Sequence, residues 1–253
     1  MISSMNYRQN IIAVLVGVAL GVMMLATTAC DNASGKQSVE VFPPNSNPFG
    51  KKYSEWSTEW WQYVLSIPPS ENPLLDETGE KCVVGQHGPV WFLAGTFFGG
   101  ETMRACSIPE GTALFFPVIN SAFIDTPNVC GQGPERTPLD EMRALTAEFI
   151  DGATNLLVEV DGNPIPSLGK RFRIKSEVFN VALPEDNLFD PFCEDFGGVP
   201  AGIYSPSVDD GFYVMLKPLD AGEHTLRIHA ENPDQDFFLD VTYNLTVVPV
   251  ELE

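Results

Sequence analysis

From Leu239 to Val247 apolar and polar residues alternate without a break, and this alternation limits the fold more than any other feature of the sequence. Side chains of a β-strand point to opposite faces in turn, so the pattern predicts a half-buried strand of an antiparallel sheet over 237–248. The apolar positions are Leu239, Val241, Tyr243, Leu245 and Val247. We therefore expect a mainly β fold.

Shorter apolar runs separated by Gly and Pro predict further strands. They lie at 89–98, 103–108, 113–120, 155–160, 171–183, 212–217 and 224–230. Gly99 and Gly100 fit a hairpin turn between the first two runs, and we expect a long loop over 184–209. Short strands with turn residues at regular intervals favour an antiparallel β-sandwich, here as a single globular domain over 49–253.

Two accessory helices are expected, near 53–66 and 137–150. The first carries an aromatic face, because large residues recur at three- and four-residue steps: Tyr53, Trp56, Trp60, Tyr63, Val64 and Ile67. Ser54 or Ser57 is suited to cap its start. The second helix has Thr137 as its expected cap, Pro138 in its first turn and Gly152 after its end. Its predicted buried stripe is Leu139, Met142, Leu145 and Phe149.

The N-terminal segment predicts export. A polar start with Arg8 is followed by an unbroken apolar run at 11–25 and by small residues up to Ala29, which is the pattern of a secretory signal peptide over 1–29. The TTAC ending resembles a lipobox with Cys30 as the lipid-accepting residue, and Thr27 stands where Leu is usual. Soluble secretion after Ala29 and an uncleaved anchor are the alternatives. Residues 30–48, rich in Ser, Asn and Pro, are interpreted as a flexible tether.

Cysteine usage agrees with an exported domain. If Cys30 carries lipid, four cysteines remain, and an even number outside the cytoplasm predicts two disulfides. Three connectivities are open. Cys82 and Cys106 flank the expected hairpin and are paired on that ground, which leaves Cys130 with Cys193. No CxxC occurs, so zinc and redox sites are not expected.

The formal net charge of −20 argues against nucleic acid as a partner, because phosphate binding needs clustered Lys and Arg. Acidic residues gather in three places, which we interpret as solvated surface: Glu185, Asp186, Asp190, Glu194 and Asp195; Asp209 and Asp210; Glu231, Asp234 and Asp236. Calcium is the ion that such hard oxygen ligands would bind, but no calcium-loop pattern is present. No cofactor is therefore expected.

No hydrolase, phosphate-loop or dinucleotide motif occurs in the chain. The most suggestive feature is aromatic: four indoles, with four polar neighbours, suit a sugar-binding platform. The indoles are Trp56, Trp60, Trp61 and Trp91, and the polar neighbours are Glu59, Gln62, Gln86 and His87. The opposing interpretation is that the tryptophans are core residues of an amphipathic helix. His224 and His229 lie five residues apart on one strand, face opposite sides and are interpreted as structural.

Four segments together resemble an uncharacterised family of exported bacterial proteins and lipoproteins, which has a Trp-rich helix and immunoglobulin-like C-terminal strands. They are CVVGQHGPVWFLAG at 82–95, RACSIPEGTALFFPVIN at 104–120, DDGFYVMLKPLDAGEHTLRIHA at 209–230 and DVTYNLTVVP at 240–249. The resemblance covers roughly residues 50–250 and implies no activity. The expected function is that of a membrane-anchored cell-envelope lipoprotein, in the periplasm or at the cell surface, that binds a glycan or another envelope protein, or is structural. The alternative is an extracellular polysaccharide hydrolase.

Lipidation can be tested by metabolic labelling with a fatty acid. We expect the wild-type protein to incorporate the label and Cys30→Ala to incorporate none, because no other residue offers the acceptor thiol at the end of the signal peptide. Equal labelling of the two proteins, or no labelling of either, would contradict the lipoprotein assignment.

Overall fold

A computed structural model describes residues 39–250, in which ten strands form two five-stranded sheets. The strands are β1 (Val90–Phe92), β2 (Gly100–Pro109), β3 (Ala113–Ile124), β4 (Thr154–Val160), β5 (Asn163–Pro164), β6 (Arg173–Lys175), β7 (Phe179–Leu183), β8 (Gly202–Leu216), β9 (Gly222–Asn232) and β10 (Phe237–Val248). The helices are α1 (Tyr53–Ser66), α2 (Leu139–Asp151) and the short α3 (Leu168–Arg171). The predicted mainly β fold with two accessory helices is confirmed.

Both sheets are mixed. The first has the order β1-β3-β8-β6, with β7 also paired to β8, and the second has the order β2-β10-β9-β4-β5. All strand pairs are antiparallel except β1 with β3 and β2 with β10. The expectation of a purely antiparallel sandwich is corrected at these two pairs. The two parallel pairs arise because Gly99 and Gly100 do not form a hairpin turn. Instead, the chain leaves the first sheet after β1 and enters the second sheet at β2.

The first sheet is buried on both faces. Leu114 and Phe116 of β3 point into the core between the two sheets, whereas Phe115 points into a second core beneath α1. On β8, Val214 points into the core between the two sheets and Tyr213 points into the core beneath α1. This two-sided burial explains why both strands are apolar at consecutive positions, while β10, covered on one face, alternates.

Helix α1 has the predicted bounds and lays its aromatic face on the first sheet. Its start differs from the prediction: Lys52 is the cap position, and the carboxylate of Glu55 accepts the Lys52 backbone N–H at 2.8 Å. Ser54 and Ser57 lie inside the helix instead. A Glu in the third helical position accepts the backbone N–H of the cap position, which fixes the start of the helix at Lys52, three residues before Glu55.

Helix α2 begins at Leu139, two residues after the predicted cap, and of its predicted buried stripe Met142 is buried and Phe149 is partly buried. Met142, Thr146 and Ile150 are buried, whereas Leu139 and Leu145 are about half exposed. Steps of four residues select this face. Thr146 is tolerated inside because its hydroxyl donates to the carbonyl of Met142.

The last ten residues of the tether predicted over 30–48 are folded. Val41 pairs with Leu216 at the end of β8, and the backbone N–H of Phe42 donates to the carbonyl of Met215 at 2.9 Å. Pro48 is buried. Residues 39–48 therefore belong to the folded domain. The predicted signal peptide, Cys30 and the tether up to residue 38 lie outside the described residues.

Strand bounds in the middle of the chain differ most from the prediction. The expected strand at 89–98 is limited to β1, the run at 171–183 divides into β6 and β7, and β8 begins inside the expected loop. Within 39–250 no helix has the length and apolarity needed to cross a membrane.

Both predicted disulfides are present. Cys82 pairs with Cys106 and Cys130 pairs with Cys193, with Cα atoms 6.0 and 5.1 Å apart. The second bridge closes the larger loop, with a separation of 63 residues, and joins two irregular segments that no sheet contact holds together. The first joins β2 to the turn-rich segment after α1.

A bulge on β3 brings its backbone close to β8. The pairing register shifts between Pro117 and Ile119, and Gly211 lies opposite Asn120. A Cβ atom on Gly211 would lie 2.7 Å from the Cβ of Asn120 and 2.9 Å from the carbonyl oxygen of Ile119. The position therefore has no room for a side chain.

We expect Gly211→Ala to lower the free energy of unfolding by about 1–3 kcal/mol, the usual cost of overpacking a closed site. Gly133→Ala is the matched control, because a Cβ there meets nothing within 4 Å. Urea unfolding of the disulfide-bonded proteins measures both. Equal stability of the two variants would contradict the close approach of β3 and β8.

Candidate functional site

Two of the four tryptophans expected in a sugar platform lie inside the protein. Trp56 is 5% exposed and Trp60 is 1% exposed, and both belong to the core beneath α1. Their indole N–H groups donate to the carbonyls of Pro48 (3.1 Å) and Leu93 (2.9 Å). The four-ring platform is therefore wrong. The helical spacing directs these rings against the sheet, where the largest apolar area is removed from water.

Trp91, Gln86 and His87 do not join the helix tryptophans. Trp91 packs against the core between the sheets, and its indole N–H donates to the carbonyl of Cys82 at 3.1 Å. Gln86 clamps the backbone, because its amide donates to the carbonyl of Phe92 at 2.7 Å and accepts the N–H of the same residue at 2.9 Å. His87 is exposed in a loop. The structure thus assigns Gln86 a local structural role and gives these residues no common ligand position.

Trp61 lines open space on two sides, and Trp60 borders part of it. Two neighbouring cavities of about 300 and 340 Å³ share the ring of Trp61 and that of Phe97 as walls. Residues 117–121 line the first cavity and residues 122–124 line the second, so the two follow one strand, β3. We refer to this pair of cavities as the β3 cleft.

The cleft exists because β1 is much shorter than β3. Val90–Phe92 pairs with β3 only as far as Phe115, where a last bond runs from the N–H of Leu93 to the Phe115 carbonyl. The chain then turns away toward the second sheet, and residues 95–97 form the opposite wall of the first cavity. The outer edge of β3 from 117 to 124 is thereby left beside the cavities.

Phenylalanines wall the second cavity. The ring centroid of Phe97 lies 6.4 Å from that of Phe189 and 5.9 Å from that of Phe192. Phe98, which is 70% exposed, contacts Phe97 and Phe192 at 5.2 and 6.0 Å. The Cys130–Cys193 bridge lies in the same wall. Contiguous exposed apolar side chains of this kind mark binding surfaces in folded proteins.

Trp61 is held in place by a buried hydrogen-bond cluster. The hydroxyl of Tyr213 accepts the Trp61 indole N–H and the Asn120 amide N–H, each at 3.1 Å, and donates to the carboxyl of Asp209 at 3.1 Å. Burial raises the pKa of Tyr213 well above its usual value, so the hydroxyl keeps its proton. One phenol thus orients two residues of the cleft wall.

Burial also raises the pKa of Asp209 to about 7, although the hydrogen bond from Tyr213 acts to lower it. The neighbouring Asp210 points to the other face of the sheet, where Arg173 donates to both of its carboxylate oxygens at 2.9 and 2.8 Å. Both aspartates are at most 1% exposed. Their assignment to solvated surface is therefore wrong: one is held beneath the Trp61 wall and the other is ion-paired.

The polar groups that line the cleft are few and neutral. Thr96, Asn120 and Ser121 line the first cavity, and Thr126 lines the second. Among the described residues no carboxyl, imidazole or amino group lines either cavity. The arrangement suits the binding of an apolar ligand with a small number of hydrogen-bonding groups.

The sequence singled out Trp61 among these residues but not Phe97, Asn120 or Tyr213, and it assigned Asp209 to solvated surface. The signals for the last two were present in DDGFY, where adjacent acids directly precede a fully apolar run. Carboxylates at the entrance of a buried strand are a sign of a buried polar cluster.

Within residues 39–250 no three His, Cys, Asp or Glu side chains are grouped so as to hold a metal ion. Asp190, from the cluster considered for calcium, instead accepts the backbone N–H groups of Asn187 and Val199 at 3.0 and 2.8 Å. It thereby shapes the loop that carries Val199 into the second cavity. His224 and His229 contact Asp161 and Glu231, respectively.

No family model and no curated protein matches the chain. The solved structure of PbICP-C in complex with falcipain-2 is similar over 64% of this chain and 100% of that chain, with 10% sequence identity and a TM-score of 0.26. A likeness of that size establishes neither a common fold nor a common function.

The raised pKa of Asp209 makes stability depend on pH. The folded state keeps the proton up to about pH 7, whereas the unfolded chain releases it near 3.8. The contribution of Asp209 is therefore complete below the unfolded pKa and is lost as pH rises through the folded pKa. Relative to Asp209→Asn, we expect the stability of the wild type to fall by about 1.4 kcal/mol per pH unit within this window.

Urea unfolding at pH 5, 6, 7 and 8 measures this difference. Glu185→Gln, which changes an exposed acid of the same net charge, is the control. A constant difference between the wild type and Asp209→Asn across this range would show that Asp209 is already ionised in the folded protein.

Proposed function

We propose that the protein is an exported, lipid-anchored cell-envelope domain that binds its ligand in the β3 cleft without catalysis. The apolar, aromatic walls of the cleft, oriented by the Tyr213 cluster, carry this proposal. A pocket with aromatic walls and a few fixed polar groups has the composition of a ligand site. The even cysteine pairing and the resemblance to exported envelope proteins support the location.

A purely structural role fits the cleft less well. A side chain that only fills the core has no reason to remain exposed, yet Phe98 is 70% and Phe192 is 57% exposed, in contact with each other beside the cleft. Holding a cluster of phenylalanines in water costs free energy, which binding of a ligand recovers.

Hydrolysis of polysaccharide is the weaker alternative. Glycoside hydrolysis uses two carboxyl groups about 5–9.5 Å apart around the bound sugar. Asp209, the acid linked to Trp61 through Tyr213, is 0% exposed and does not line either cavity. The part of the cleft that the structure describes therefore supplies walls and hydrogen bonds, not an acid and a base.

The neutral apolar dye Nile red tests whether the cleft is open and accepts ligands. We expect the emission of the dye to rise when it binds the wild type. Its affinity for Phe97→Ser should be at least about tenfold lower, because Phe97 lines both cavities. Ile203→Ser is the matched control, since Ile203 is 76% exposed and lines neither cavity.

Displacement of the dye by cellohexaose, palmitate or peptides then reports the ligand class. A response that Phe97→Ser leaves unchanged would contradict a binding cleft and would favour the structural role.

A further inference from the structure

The outer edge of β3 offers backbone hydrogen bonds to a ligand. Of the twelve residues of β3, only Ala113, Leu114 and Phe115 pair with β1. Within 39–250 no backbone hydrogen bond joins the remaining outer edge, 117–124, to another segment. A row of free N–H and C=O groups on a strand edge is a template for an added strand.

One edge strand of the second sheet, β2, is protected, in contrast to the open edge of β3. On β2, the backbone N–H of Ala105 donates to the carbonyl of Thr78 at 2.8 Å, and Gly79 lies against Ala105. The sequence of β3, ALFFPVINSAFI, carries no charged residue, and its single proline stands at the start of the open segment. Charges and prolines are the usual means by which proteins block an exposed edge.

The cavities lie where the side chains of an added strand would need space. Eight residues of β3 border the cleft, which corresponds to about 23 Å of extended chain. Side chains of an extended segment alternate between two faces, so the apolar cavities would receive them at intervals along the edge. The lining is uncharged throughout, and this selects uncharged side chains in the central part of the segment.

Charge changes at the far end of the cleft. Val199 borders both the second cavity and an acidic hollow that contains Glu185, Asp190 and Glu194. Glu185 and Glu194 are exposed, and the chain as a whole carries a net charge of −20. Basic residues in the segment that continues past the second cavity would meet opposite charge there.

From these observations we propose that the cleft binds an extended polypeptide segment of a partner protein, which adds as a strand to β3 with an apolar centre and a basic flank at the Val199 end. This inference rests on the proposed function, because it requires the cleft to be a ligand site. The added strand would place its backbone against 117–124 and its alternate side chains against the Trp61–Phe97 wall.

The test starts from a phage-displayed library of random twelve-residue peptides selected on the full-length protein. Enriched peptides are expected to combine an apolar, β-forming centre with Lys or Arg at one end. Synthetic copies with N-methyl groups at alternate residues keep their side chains but lose donors on one edge, and we expect their Kd to rise at least about tenfold. Hydrogen exchange should show new protection of amides within 118–124.

A pair of double variants tests the contribution of the acidic hollow separately from that of the strand edge. Glu185→Gln combined with Glu194→Gln should weaken binding of the basic peptides several-fold, whereas Glu110→Gln combined with Glu141→Gln, which changes two exposed acids outside the cleft, should not. Failure to enrich any peptide, or equal binding of the N-methylated copies, would overturn strand addition. If Nile red still binds in a Phe97-dependent manner and cellohexaose or palmitate displaces it, the proposed function stands and the peptide inference alone fails.

Discussion

Burial of the β3–β8 pair on both faces is the constraint on which the rest of the structure depends. One face receives the second sheet and the other receives α1, so each strand carries large apolar residues at successive positions. The face of this sheet that points away from the second sheet is apolar and must be covered. The aromatic stripe of α1 covers it. The aromatic spacing of α1 is thus a requirement of the sheet before it is a feature of any ligand site.

The same burial accounts for the polar cluster and for the cleft beside it. Asp209 and Asp210 directly precede the apolar half of β8, and each buried carboxyl group has a partner: Tyr213 beneath α1 and Arg173 on the opposite face. The hydroxyl oxygen of Tyr213 also accepts hydrogen bonds from the Trp61 indole and the Asn120 amide. A buried phenol with all its hydrogen bonds satisfied is held in one position, and it therefore holds Trp61 and Asn120 of the cleft wall in place.

Local patterns predicted the elements that depend on local physics. The alternation over 237–248 predicted the bounds of β10, and the three- and four-residue spacing predicted those of α1, because both periodicities report one buried face. Parity of the cysteines led to the correct disulfides even though the hairpin used to pair them does not exist. A Gly-Gly pair is equally suited to a hairpin turn and to a connection that crosses from one sheet to the other, so Gly99 and Gly100 did not distinguish the two.

Features that depend on distant partners escaped the prediction. Asp210 is buried because Arg173, 37 residues earlier in the chain, reaches it, and the sequence does not show which distant residue pairs with an acid. The tryptophan spacing satisfies a core and a sugar platform equally well, so only the position of the sheet decides between them. The cleft itself lies among α1, β3, the 95–97 segment and the loop near Cys193, which meet only in the folded chain.

The Cys130–Cys193 bridge has a consequence for the second cavity. It joins two irregular segments, 63 residues apart, that together form one wall of the second cavity. While the thiols are reduced, that wall is held by loop contacts alone, and loops of this kind open readily. The shape of the second cavity is therefore coupled to oxidation: when the two thiols are reduced, its wall loses the covalent link between the segments of Cys130 and Cys193.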